Sequence, residues 1–414
     1  MPGIALGNSY QGYLSAEFSL FGKTSISLIL NLGMLGFAFL INRDIALGFW
    51  FFFLLSSAQR DIFNTLGIHS NEQLSRFANL CGPYLAHQAM GAMIVLVLSG
   101  LWIARTHIRA VFGKAFGKDS TVDDTDEVLS YRTAVFGLLV GLIFLSLWLW
   151  KSGLPLWVIP IFLLAVFIIF TALTRTVTEG GLAAIRTPIT PSDFVISGIG
   201  TTALGPSGLV SLAFTWIWGA NIRIFFMATF ANALKLVEEL GTKRKALVGA
   251  LTLAVLVTMV GSIWTLMFIA YRNGGVNLHS FYFLSVPRNA FTYIAPMLAT
   301  SVPANLAGWF FTGLGALLMS LLTLARHRFV WWPVHPLGFA TGTFFIMNYI
   351  WFSVFLAWLL KSIVLRYGGA SFYRRARPFF LGLILGQISV AGLWIAIDFF
   401  TGMIGNQPIG KSQL

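Results

Sequence analysis

The residues best placed to do chemistry lie where apolar runs end. Thr174-Arg175-Thr176-Val177-Thr178-Glu179-Gly180-Gly181 closes one such run, and Arg175 and Glu179 are spaced to share one helix face as an ion pair. As a helix-end pair they would contribute only about a few tenths of a kcal/mol. Beside the Gly180-Gly181 break, with Gly205-Pro206-Ser207-Gly208 following, they would instead form a gate or solute site at a discontinuous helix. A second constellation is Arg326-His327-Arg328-Phe329-Val330-Trp331-Trp332-Pro333-Val334-His335-Pro336-Leu337-Gly338. His335, set between two prolines, reads equally as a structural residue or as a proton carrier titrating near neutral pH. Asn348 sits inside an apolar run, where it packs by hydrogen bonding or lines a polar path, and Asp398 snorkels to water at the end of the last run. The candidate solute or ion pathway is therefore Arg175, Glu179, Gly180, His335 and Asn348.

Other motifs fall away on physical grounds. Gly405-Asn406-Gln407-Pro408-Ile409-Gly410-Lys411-Ser412 matches the phosphate-binding GxxxxGK[ST] pattern, but two residues follow it where a helix is required. The lone Cys81 forms no intramolecular bridge, and no Cys/His cluster suits a metal, so no cofactor is assigned. The acidic run Asp119, Asp123, Asp124, Asp126, Glu127 lacks the glycine and terminal glutamate of a calcium loop. GxSxG, HExxH and strand-associated GxGxxG patterns are missing, and no enzyme activity is expected.

The elements that must carry these residues are membrane helices. Of 414 residues, 57% are hydrophobic and 10% charged, and the mean hydropathy is +0.81. About 20 apolar residues make one crossing. Ile26–Ile41, Tyr84–Ile103, Ala134–Trp150, Leu156–Leu173, Ala246–Ala270, Ala304–Leu324 and Phe379–Ile397 read as spanning helices. Phe49–Leu55 follows the polar break Asn42-Arg43-Asp44, so residues 26–58 hold two short crossings or a crossing plus an interfacial helix. The expectation is an all-α, multi-pass integral membrane protein with about 8–10 membrane segments, at least one of them re-entrant or broken. It forms a single transmembrane domain over residues 1–414, with a cytoplasmic connector at 105–131 and a flexible tail at 402–414.

The net charge of +13 comes from 27 basic against 14 acidic residues, and the basic ones sit between apolar runs. Cytoplasmic loops collect such charge, so topology explains it without a nucleic-acid partner. Residues 105–132, 175–245, 326–328 and 361–377 are expected inside, and the loops near 151–155 and 272–300 outside. The stretch between 326–328 and 361–377 must then enter and return. Gly205–Leu240 is expected to hold a second re-entrant or interfacial element.

The run 326–338, followed by Met347-Asn348-Tyr349-Ile350-Trp351-Phe352, Leu365-Arg366-Tyr367-Gly368-Gly369, Tyr373-Arg374-Arg375-Ala376 and Pro378-Phe379-Phe380-Leu381-Gly382-Leu383, resembles a family of prokaryotic polytopic membrane proteins of unassigned function. Arg175…Glu179-Gly180, Ala203-Leu204-Gly205-Pro206, Ala233-Leu234-Lys235-Leu236 and Glu17-Phe18-Ser19 extend the match. That family is distantly similar to the oligopeptide transporter superfamily, and this chain resembles the C-terminal portion of its longer members. Near Arg223–Ala233 the family carries a Pro- and His-containing stretch where this chain reads Ile224-Phe225-Phe226-Met227-Ala228-Thr229-Phe230. The resemblance implies a prokaryotic inner-membrane secondary transporter moving a small peptide-like or metal-chelate solute. Proton coupling would run through Glu179 or His335, with Arg175 as anion partner. The partners are the lipid bilayer, the solute and protons, with a homodimer or larger membrane complex as the assembly. The alternative is a non-transporting scaffold or accessory subunit derived from a shortened transporter fold.

Overall fold

The computed structural model describes residues 5–6, 14–19, 25–75, 82–117, 123–125, 127–182, 186–219, 226–240, 244–344 and 346–402. Cys81, the 405–412 motif and Arg223 lie outside them, as does the tail beyond residue 402. Strands β1 (Ala5–Leu6), β2 (Leu14–Ser19) and β3 (Ser25–Leu30) form an antiparallel meander in that order, with Leu14 opposite Leu30. Helices follow: α1 (Leu32–Leu40), α2 (Arg43–Leu66), α3 (Pro83–Ile103), α4 (Arg105–Ala115), α5 (Tyr131–Lys151), α6 (Val158–Gly180), α7 (Pro191–Ile199) and α8 (Thr201–Gly219). The chain continues through α9 (Met227–Leu240), α10 (Arg244–Asn273), α11 (Val286–Ala299), α12 (Leu306–Arg328), α13 (Leu337–Thr341), α14 (Met347–Ile363) and α15 (Gly369–Thr401). Among the described residues six stretches are long and apolar enough to cross a bilayer, and the protein is an all-α, multi-pass membrane protein. The last stretch, Met347–Thr401, is itself two helices, α14 and α15, parted at Gly369, where φ is 63°.

The region 26–41 is not a spanning helix. Ser25-Ile26-Ser27 begins an extended strand, and the Asn31 side chain then accepts from the Met34 amide to cap a helix of nine residues. At 1.5 Å per residue α1 is about 13.5 Å long, under half of a bilayer core. Hydropathy alone does not separate extended from helical chain. Strand β3 leans on α14, where Trp351 Nε1 donates to the Ser27 carbonyl at 2.9 Å and Ser353 Oγ to that of Ile29 at 3.2 Å. Ser353 Oγ also accepts from the Asn31 amide at 2.9 Å. Such bonds satisfy the broken backbone from inside the protein. Lys361 Nζ closes the other end of α1, donating to the Ile41 carbonyl at 2.6 Å.

The return between the two basic loops is present. Arg326 meets Asp44 at the foot of α2 at 3.4 Å, and the chain then climbs along α2, packing Gly338 on Gly48 and Gly342 on Phe52. Helix α14 descends until Lys361 reaches Ile41, one residue before the Asn42 cap of α2. A second broken element is α7 with α8. Thr190 caps α7, which is again nine residues long, and Ser192 pairs with Thr215 of α8 at 2.6 Å. Gly200 turns the chain at φ 85°, and a Cβ there would lie 2.7 Å from the Ala304 amide nitrogen. Helices α3 and α12 approach backbone to backbone: a Cβ on Gly91 would collide with the Thr312 carbonyl, and one on Gly315 with that of Gln88. Small residues at a helix crossing permit this.

Candidate functional site

Near the end of the bundle opposite the basic loops, four separated segments converge on a buried polar cluster. His87, in the second turn of α3, is 2% exposed, and its Nε2 lies 3.1 and 3.2 Å from the two Glu72 carboxylate oxygens. Glu72 comes from the chain between α2 and α3, and its Oε2 accepts from Asn305 Nδ2 at 2.6 Å. Asn305 is also the cap of α12, its Oδ1 accepting from the Gly308 amide. Gly308 makes the room: a Cβ there would stand 2.7 Å from His87 Nε2. Ser197 of α7 lies 3.2 Å from the same nitrogen, and the Asn305 amide donates to the Ser197 carbonyl at 2.9 Å. On the far side of the ring Thr312 Oγ1 is 3.4 Å from Nδ1 and itself donates to the Gly308 carbonyl. Its lone pair is thereby left free to accept from the ring.

Asp193, fully buried, continues the cluster one turn before Ser197. Its Oδ2 accepts from Ser75 at 2.6 Å and from Thr190 at 2.8 Å, while its amide donates back to Thr190 in a reciprocal cap. Tyr293 of α11 is near enough to both Asp193 and Glu72 to feel their charge. Burial alone would raise the Glu72 carboxyl. Hydrogen bonds and charge from His87, with donors from Ser197 and Asn305, outweigh that and hold it below the ordinary 4.5.

Of the residues singled out by sequence, four come together at the basic end. Arg175 and Glu179 form a bidentate pair, Nε to Oε1 at 2.7 Å and Nη2 to Oε2 at 3.2 Å, and Arg175 Nη1 also donates to the Leu96 carbonyl at 2.8 Å. Gly180 packs against Phe49 and Leu337, and the His335 carbonyl against Gly48. Asn348 stands apart, lining a cavity with Arg60 and Thr343. His87 lay inside a recognised apolar span and Asp193 at the edge of the richest polar segment. A scan for charges passes over histidine, and Glu72 and Asn305 carry no local signal.

His335 admits two readings in sequence, structural and proton-carrying. Its Nδ1 accepts from the Leu337 amide at 3.2 Å, and burial, helped by Arg326, pushes it below its ordinary 6.5. A histidine held neutral by the fold stabilises it above pH 6.5, and this contribution falls as acidification drives a proton onto the ring. His335→Asn keeps an acceptor for Leu337 and removes the titration. Thermal unfolding of that variant should lose less stability than wild type between pH 6.5 and 5.

Residues 2–409 match the model of a family of unknown function, DUF6785. No curated protein and no solved structure matches the chain. The family match spans nearly the whole sequence, broken half-helices and buried His–carboxylate cluster included, and the protein therefore belongs to the DUF6785 family of unknown function.

Proposed function

We propose that the protein is a secondary transporter of oligopeptide-transporter type in a prokaryotic inner membrane, moving a small peptide-like or metal-chelate solute with protons. The observation that carries this reading is the His87–Glu72–Asn305 cluster, which meets the short helix α7 at Ser197 within an apolar bundle. Buried ionisable groups in an apolar bundle are costly and recur along solute and proton paths, and half-helices are where transporters bind solutes. The proton role moves from Glu179 and His335 to Glu72 and His87. Glu179 is engaged by Arg175, and His335 is held neutral by its surroundings.

The test is uptake into proteoliposomes holding the purified full chain. With an inward proton gradient imposed, alanyl-alanine or a nickel–histidine chelate should accumulate, and a protonophore should abolish it. A second reading, an accessory subunit of a larger membrane complex, draws on helix α10. No residue of its Leu247–Asn273 span is buried within the chain. Stable co-purification with other membrane subunits, and no uptake by the isolated chain, would favour that reading over transport.

A further inference from the structure

We infer that the turn joining α14 to α15, with the first turns of α15, binds the phosphate headgroup of an anionic phospholipid. Between Glu239 and Asp398 the sequence contains no aspartate or glutamate, yet Arg366, Arg374, Arg375 and Arg377 fall close together within it. All four are exposed, and among the described residues none of them meets a carboxylate. Other cations of the chain do: Arg326 lies 3.4 Å from Asp44, Arg175 2.7 Å from Glu179 and Lys114 3.0 Å from Asp124. The countercharge for this group must come from outside the fold.

Packing decides which way these arginines face. Tyr373 and Phe380, seven residues apart on α15, lie on Phe39 of α1 with ring centres at 5.4 and 3.6 Å. Lys361 Nζ, 4.8 Å from the Tyr373 ring centre, ties the end of α14 to the same place. With that face taken, Phe372, Arg375 and Phe379 form an exposed stripe at i, i+3 and i+7, flanked by Arg374 and Arg377. Phe372 is 52% and Phe379 65% exposed, and the Arg366 guanidinium stands 6.0 Å over the exposed Tyr367 ring. Depth favours a lipid over a soluble anion or an acidic protein. Helix α15 has 33 residues, about 50 Å at 1.5 Å each, against a bilayer core of about 30 Å. Its apolar run Phe379–Ile397 fills that core, which leaves Gly369–Pro378 in the headgroup layer. There the guanidinium forks offer parallel donors to phosphate oxygens, while the exposed rings rest at the acyl-chain boundary. The site is independent of what the protein moves.

The experiment is thermal unfolding of the purified full chain in mild detergent at fixed salt, titrated with dioleoylphosphatidylglycerol, dioleoylphosphatidylcholine, sodium phosphate or poly-glutamate. Phosphatidylglycerol should raise the unfolding temperature and phosphatidylcholine should not. Combined Arg374→Gln, Arg375→Gln and Arg377→Gln should raise the lipid concentration required at least about tenfold, since each arginine at an anionic surface contributes a factor of about five. Arg375→Gln alone should raise it about fivefold and decides the matter if the triple variant fails to fold. Combined Arg43→Gln, Lys114→Gln and Lys235→Gln removes as much charge from cations that already face carboxylates, and should leave the response nearly unchanged. An equal loss in that second set would reduce the effect to net charge and overturn the site, as would an unchanged response in the α15 variants. An equal response to free phosphate overturns it in favour of an inorganic-anion site. Stabilisation by poly-glutamate and not by phosphatidylglycerol overturns it in favour of an acidic protein partner.

Discussion

Gly315→Val is expected to prevent the chain from accumulating as a folded, monodisperse particle, whereas Gly313→Val on the same helix should be tolerated. At Gly315 an added Cβ meets the backbone of Gln88, and at Gly313 it meets open space. A flexible side chain could swing away from such a conflict, but backbone cannot, so α3 and α12 would have to separate. That separation also opens the place where Thr312 and Asn305 of α12 hold His87 and Glu72. Overpacking of an ordinary core costs about 1–3 kcal/mol, and a backbone collision belongs at or beyond the upper end. Size-exclusion chromatography and thermal unfolding of the two variants side by side check this. Equal yield and stability would show that the helices are not locked at this crossing.

Glu72→Ala is expected to destabilise the protein by about 1–3 kcal/mol, because it strips the acceptor from a buried histidine and a half-buried amide at once. His87 and Asn305 both direct nitrogens at this carboxylate, and the histidine is 2% exposed. Glu72→Gln should cost less, since its amide oxygen still accepts from Asn305 while the charge is gone. The pH sign follows from the depressed carboxyl. The stability it contributes is present above 4.5 and is lost as pH falls through the lower folded-state value. Unfolding of the three proteins at pH 7 and near pH 4 measures both effects, and wild type should lose part of its advantage over Glu72→Gln at the acidic end.

Sequence patterning exposed most of the helical frame because each crossing needs a run of about 20 apolar residues. It also flagged the broken stretches through Pro333, Pro336, Gly205 and Pro206, since proline and glycine interrupt helices for reasons local to themselves. Residues 26–41 misled because an apolar run carries no sign of being half strand. The cue was finer, in the Ser25-Ile26-Ser27 alternation and the Asn31 cap. Arg175 with Glu179 was legible because an i,i+4 pair is written in one helix. The His87 cluster was not, because its parts lie at residues 72, 87, 197 and 305 and only the fold makes them neighbours.

The most direct test of the central claim is solute-driven proton entry into proteoliposomes carrying an internal pH dye, compared between Glu72→Gln and Glu179→Gln. Addition of alanyl-alanine or the nickel–histidine chelate should acidify the lumen with wild type. Glu179→Gln should do the same within about threefold, because that carboxylate closes a partly exposed helix-end pair of small energetic weight. Glu72→Gln, folded and inserted to the same level, should give no coupled proton entry. Normal acidification by Glu72→Gln, or its loss in Glu179→Gln alone, would contradict the account and return the proton path to the basic end of the bundle.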